Sequence, residues 1–214
     1  RMCCPHCENA DVIFDSGTAS ANLDDYRRSG PAPMTARLLA ILKAAGVTGL
    51  SLLDIGGGVG VIQHELAGAG VSGITDVDAS RAYLSAARSE ATRRGYADHA
   101  MYLFGDFVTL ADQVGEADIV TLDRVICCYP DVTALIHAAA SKARRYLGVI
   151  YPRDTVLAKA AIPCLNLWWR VRGRTFRNFI HPSATVDGIA QSHGLHKIAQ
   201  HDGIMWQLSV FARG

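Results

Sequence analysis

Short runs of apolar residues alternate along the chain with longer segments whose apolar positions recur every three or four residues. Residues 50–55 (LSLLDI), 73–77 (GITDV), 100–104 (AMYLF), 118–122 (DIVTL) and 147–151 (LGVIY) read as buried strands. Between them, residues 61–69 put Val61, Ile62, Leu66 and Ala69 on one helical face. Residues 81–94 form a second predicted helix, opened by Ser80 in N-cap position. Residues 132–146 form a third, rich in Ala and ending in Lys142, Arg144 and Arg145, charges that suit a helix C-terminus. Apolar strands that alternate with amphipathic helices predict a parallel sheet covered on both faces. The tail differs. Residues 183–193 predict a helix, and residues 195–212 two strands joined through Asp202-Gly203, a hairpin signal. Ahead of the first strand, residues 1–47 hold one predicted helical stretch, 34–45, introduced by Gly30-Pro31-Ala32-Pro33 and preceded by Asp24-Asp25-Tyr26-Arg27-Arg28. Two readings of this extension stay open: a cover over the carboxyl edge of the sheet, or a helix packed on the outside.

The first strand runs into Asp54-Ile55-Gly56-Gly57-Gly58-Val59-Gly60. Strand, glycine turn and helix is a nucleotide-binding arrangement, because glycines let the backbone approach a ligand where a β-carbon would collide. A dinucleotide fingerprint has glycines at relative positions 1, 3 and 6; here Val61 stands at the sixth. No Lys-Ser or Lys-Thr follows, which excludes a triphosphate-cradling loop. Three further acids close successive strands. Asp78 is suited to accept from both hydroxyls of a ribose. Asp106 is suited to accept from an adenine amino group, with Phe107 against the base. Asp123 ends the fourth strand, beside the reacting group.

Composition narrows the class. With 21 Lys plus Arg against 20 Asp plus Glu, the net charge of +1 argues against a dedicated nucleic-acid binder. No apolar run approaches the roughly 18–20 residues of a membrane-spanning helix, and the N-terminal residues do not read as a secretory signal. Six cysteines in 214 residues are too few for a disulfide scaffold, so a reducing, cytoplasmic setting is expected. Cys3-Cys4-Pro5-His6-Cys7 lacks the two separated ligand pairs of a zinc site, and no metal is expected.

The stretch from residue 50 to about 151 resembles the class I S-adenosylmethionine-dependent methyltransferases, through LLDIGGGVG, ITDVDAS, LFGDF, ADIVTLDRVICCYPD and LGVIYPRD, in family order. The tail GLHKIAQHDG and WQLSVFARG resembles the family's closing hairpin. The resemblance implies an α/β fold: a doubly wound, seven-stranded, mostly parallel sheet with an antiparallel last strand. It implies S-adenosyl-L-methionine as cofactor, with Asp54, Gly56 and Gly58 along its methionine part, Asp78 at the ribose and Asp106 at the adenine. Gly60, Ala79, Phe107 and Asp123 complete the expected cofactor edge. One domain is expected over 1–214: an extension (1–47), a cofactor core (48–154), a substrate-covering insertion (155–182) and a closing helix and hairpin (183–214).

The acceptor is read less directly. The segment after the fourth strand, Arg124 to Asp131, lacks the Asn/Asp-Pro-Pro-aromatic motif of amino-group methyltransferases. The insertion interleaves Trp168, Trp169 and Phe176 with Arg170, Arg172, Arg174 and Arg177, a composition open to a flat anionic acceptor, nucleic acid, a membrane surface or a plain solvated helix. Cys127 and Cys128, at a strand end, read as small buried hydrophobes more readily than as groups that touch substrate. Within the family the chain is similar to the Mg-protoporphyrin O-methyltransferases in an early Tyr, a pre-sheet helix and a bulky insertion. It departs at Cys127, where that subfamily has a His. Tyr26 and His181 are the candidate catalytic residues. The expectation is O-methylation of a small molecule, by a soluble chain open to homodimerisation. Three alternatives remain: a non-catalytic cofactor-binding sensor or partner subunit, an RNA methyltransferase and an NAD-dependent dehydrogenase.

Overall fold

In a computed structural model the described residues are 10–155, 162–163, 166–168, 170–171 and 177–214. Cys3, Cys4, Cys7, Cys164, Trp169, Arg172, Arg174 and Phe176 lie outside them. The elements run α1 (Ser16–Ser29), α2 (Pro33–Ala44), β1 (Ser51–Ile55), α3 (Val61–Ala67), β2 (Gly73–Asp78), α4 (Arg81–Arg94), β3 (Ala100–Phe104) and α5 (Phe107–Leu110). Then follow β4 (Ala117–Asp123), α6 (Val132–Lys142), β5 (Ala143–Pro152), α7 (Ser183–Ser192), β6 (Leu195–Asp202) and β7 (Trp206–Arg213). The sheet order is β3-β2-β1-β4-β5-β7-β6, with β7 antiparallel to both neighbours and the other pairings parallel. The expected seven-stranded sheet with an antiparallel last strand is therefore present.

Alternate strand residues fill two cores, as a pleated sheet covered on both faces requires. Leu53, Ile55, Val120, Leu122 and Val149 face α6 and α7. Leu52, Ile74, Ile119, Ile150 and Leu208 face α2 and α3. Ser80 caps α4 as predicted, its hydroxyl accepting from the Tyr83 N–H at 3.1 Å. Among the described residues no helix is long and apolar enough to cross a membrane.

Two expectations are corrected. The third predicted helix stops at Lys142, and Arg144, Arg145 and Tyr146 belong to β5. Sheet pairing overrides the local pattern here, since Ala143 opposes Ala117 and the two arginines pair with Glu116 and Asp118 at the start of β4. The extension also holds more than one helix. Asp15 caps α1 by accepting from the Thr18 N–H at 2.8 Å, and Gly30 ends it at φ 76°. Of its two helices, α2 packs on one face of the sheet through Leu38, Leu39 and Leu42, and α1 sets Asn22, Asp25 and Tyr26 beside the carboxyl ends of the strands.

Candidate functional site

The β1–α3 turn owes its path to glycine. Gly56, Gly58 and Gly60 have φ of 64°, 59° and 83°, values that other residues adopt only under strain. The Gly56 N–H is anchored on the Val77 carbonyl at 2.8 Å. Open space lies where a β-carbon on Gly58 would stand, so the loop presents bare backbone to the groove. Gly60 serves a different end. A β-carbon there would fall 2.9 Å from the His64 ring, and Gly60 does not line the cavity.

Asp54, Asp78, Asp106 and Asp123 all line one cavity of about 420 Å³ above the strand ends, within the usual range for small-ligand sites. Gly56, Gly58, Ala79 and Phe107 line it too. Asp78 accepts the Ser80 N–H at 2.7 Å and the Gly58 N–H at 3.0 Å, which ties the second strand end to the glycine loop. Burial nonetheless raises its carboxyl above the ordinary range, against the pull of those N–H groups. Asp106 caps α5 through the Val108 N–H at 3.1 Å, and its two oxygens accept the Tyr129 hydroxyl at 3.0 and 3.1 Å. Asp123 accepts from the Thr35 hydroxyl and from the Arg124 guanidinium, whose Nε lies 2.9 Å away. Arg124 has φ 62°, the only positive value on a non-glycine among the described residues. It is also the only Lys or Arg among the described residues that line the cavity.

α1 roofs the opposite side with Asn22, Asp25 and Tyr26. The Tyr26 hydroxyl donates to Glu65 at 3.0 Å, and its ring stacks on His64 at 5.8 Å between centroids. Burial, then the Glu65 bond, pushes this phenol up to about 12. At neutral pH Tyr26 is therefore a hydrogen-bond donor and not a base. His64 is held neutral, burial pulling it down to about 4. Its Nε2 meets the Val59 carbonyl at 2.8 Å and so must carry the hydrogen, which leaves Nδ1 to accept from the Tyr96 hydroxyl.

The roof is fastened by polar contacts. Asn22 donates to the Tyr83 hydroxyl at 2.7 Å, and Arg27 reaches Glu90 at 2.7 Å. Glu90 is buried among Arg27, Arg93 and Arg94, and the bond from Arg93 heads the causes that drive its carboxyl well below the usual range. Only Ala19, Leu23 and Tyr26 of α1 are buried. A helix held this way opens before the sheet does. Arg27→Ala is expected to raise amide hydrogen exchange across residues 16–29 and to leave β1, β4 and β5 protected, as measured by mass spectrometry.

His181 stands apart from the cavity lining. It stacks on Phe179 at 6.0 Å, and its Nε2 lies 3.0 Å from the Tyr129 carbonyl, so it supports the loop that carries Tyr129. Cys127 is buried and Cys128 borders the cavity, their sulfurs 3.5 Å apart. Sequence reasoning passed over Asn22, Tyr83 and Tyr129. Tyr129 had a visible signal, an aromatic residue just beyond a strand-end acid; Asn22 and Tyr83 meet only through the tertiary fold.

This sheet order, the glycine turn after β1 and the acids on successive strand ends define the class I S-adenosylmethionine-dependent methyltransferase fold. Residues 53–147 match the family model described as "Methyltransferase domain". It is similar to magnesium protoporphyrin IX methyltransferase from Synechocystis PCC 6803. The structure with bound SAH is 22% identical, with a TM-score of 0.69, covering 95% of this chain and 99% of that one. The structure with bound SAM is 20% identical, with a TM-score of 0.71, covering all of both chains. An O-methyltransferase family protein from Burkholderia thailandensis is 17% identical, with a TM-score of 0.69, covering 94% of this chain and 62% of that one. At these identities the likeness is one of fold. No curated protein matches the sequence.

Proposed function

We propose that the protein transfers the methyl group of S-adenosylmethionine to an oxygen atom of a small molecule. The observation that carries this reading is the roofed cavity: Asn22, Asp25 and Tyr26 of α1 and the strand-end acids line one space of about 420 Å³. A space partly covered by a helix suits a small acceptor better than a polymer. The residues present fit the cofactor, since Gly58 leaves its β-carbon position open to the groove and Asp78, Ala79, Asp106 and Phe107 line the same space. When bound, the sulfonium supplies an already activated methyl. The protein's task is then to hold donor and acceptor in line, which is worth about 7–11 kcal/mol of barrier at best.

In this reading Asp78 accepts the ribose hydroxyls, and Asp106, steadied by Tyr129, accepts from the adenine amino group beside Phe107. Asp54 and the backbone of Gly56 and Gly58 border the methionine part, with Ala79 and Asp123 along the same edge. Tyr26, its hydroxyl proton given to Glu65, lines the acceptor end and can accept a hydrogen bond there. Arg124, cationic beside Asp123, favours an acceptor that carries an anionic group. His181 acts through Tyr129. The test is transfer of radiolabelled methyl to a panel of hydroxy and carboxylic acids of low molecular weight, beside transfer RNA and ribosomal RNA. Label in a small acid or alcohol supports the reading, and label in RNA alone overturns it.

A further inference from the structure

The glycine loop rests on a row of polar side chains that crosses the sheet. Register sets Tyr102 beside Asp76, Asp76 beside Asp54, and Asp54 beside Thr121. One row back, on the same face, stand Ile74, Leu52 and Ile119, so this is core. Asp54 is satisfied by the Thr121 hydroxyl at 2.7 Å and by Gln63 Nε2 at 3.2 Å. Asp76 is wholly buried; Gln63 and the Gly57 N–H lie close enough to weigh on its carboxyl, but neither of its oxygens makes a well-aligned hydrogen bond. Gln63 Oε1 and the Tyr102 hydroxyl beside it lack partners too. A β-carbon on Gly57 would fall 2.4 Å from Gln63 Nε2 and 2.8 Å from one oxygen each of Asp54 and Asp76. Three polar side chains thus converge directly beneath the loop.

An ionised carboxylate cannot be kept there without a partner. A neutral acid can, because its O–H supplies the donor that Gln63 Oε1 otherwise lacks and can equally turn to Asp54. We propose that Asp76 is a buried, protonated positioning residue that shares a proton with Asp54, and that the pair releases a proton when the cationic methyl donor enters the cavity. This rests on S-adenosylmethionine as cofactor. Sulfonium and ammonium charges beside Asp54 favour its ionised form, whereas the demethylated product keeps only the ammonium and demands less of it.

The groups that face the pair are acids or neutral: Asp78 on the same strand, Asp123 on β4, Tyr102 on β3, Gln63 on α3, and Tyr96 after α4. Asp11 reaches Asp78 from the N-terminal side, and Arg124 is already engaged by Asp123. Burial first, then Asp123 and Asp78, pushes Asp54 up to about 7, and burial holds Asp76 well above the ordinary range. The sign follows. Above about 7, Asp54 is already ionised and no proton leaves; below it, binding must expel a proton and affinity falls by up to about tenfold per pH unit.

The experiment is isothermal titration of the full chain at about pH 6.5, in two buffers of different ionisation enthalpy, with S-adenosylmethionine and S-adenosylhomocysteine. The wild type is expected to release most of one proton with the first ligand and less with the second. In Asp76→Asn the amide donates to Asp54 and the neighbouring acid is gone. Proton release should then be smaller than in the wild type, keeping the part that burial, Asp123 and Asp78 impose on Asp54, and the fall of affinity between about pH 7.5 and 6 should be shallower. Asp76→Ala, checked for fold by circular dichroism, should likewise release less proton than the wild type with S-adenosylmethionine. Equal proton release in wild type and Asp76→Asn, or none in the wild type despite binding, overturns the proposal. If neither ligand binds the wild type, the cofactor reading itself falls, and this inference with it.

Discussion

Asp78→Ala is expected to weaken S-adenosylmethionine binding by about 2–3 kcal/mol, roughly 30- to 150-fold, in isothermal titration. Hydrogen bonds to a charged acceptor are the stronger kind, and two ribose hydroxyls would lose theirs at once. The substitution also strips the Gly58 N–H and the Ser80 N–H of their acceptor, so the glycine loop keeps the Gly56 bond to Val77 but loses its tie to the end of β2. Asp78→Asn separates the two contributions. Its amide oxygen can still accept one N–H, which keeps the loop closer to its native path, but it offers a weaker acceptor to the ribose. An intermediate loss, with thermal stability close to wild type, is the expected pattern. Unchanged affinity in Asp78→Ala would remove the ribose from that strand end.

The second large effect concerns stability and leaves the cavity alone. Leu38 is fully buried on α2 and lies over β5 where Gly148 has no side chain: a β-carbon there would fall 2.6 Å from Leu38 Cδ1. Leu38→Ala should cost about 3 kcal/mol, the transfer free energy of the lost methyl groups plus the cavity they leave. For a chain of this size that lowers the melting temperature by about 6–12 °C. Gly148→Ala should destabilise by about 1–3 kcal/mol through overpacking of the same contact. The double variant should melt above the sum of the two losses, because the added methyl partly fills the space that Leu38 vacates. Cofactor affinity, measured well below the melting range, should not move. That result would set α2 apart as a wall of the fold, while α1 serves as its roof.

The strands were legible because parallel strands buried on both faces read as unbroken apolar runs, bounded here by glycine or by an acid. The glycine turn was legible for a related reason: three positive-φ positions within five residues admit few residue types. α1 was not, since its buried positions are only Ala19, Leu23 and Tyr26 and the rest of its hold on the fold is polar. Arg144 and Arg145 misled because two cations after an alanine-rich helix satisfy a local rule, while their partners, Glu116 and Asp118, lie some 27 positions earlier. Asp76 was hidden inside a run read as strand. A carboxylate in mid-strand becomes conspicuous only once Asp54 and Gln63 are seen packed against it. The four strand-end acids were visible as a set, and the fold does gather them around one space. What each one holds besides a ligand was beyond the sequence, because Tyr129 on Asp106 and Thr35 on Asp123 are contacts across 23 and 88 positions.

The most direct test of the account is a crystal structure of the full chain grown with S-adenosylhomocysteine. The ribose hydroxyls should be found on the Asp78 carboxylate, the adenine between Asp106 and Phe107, and the methionine end over Gly56 and Gly58 beside Asp54. A ligand bound elsewhere on the surface, or a side chain lying across that groove with the ligand excluded, would contradict it.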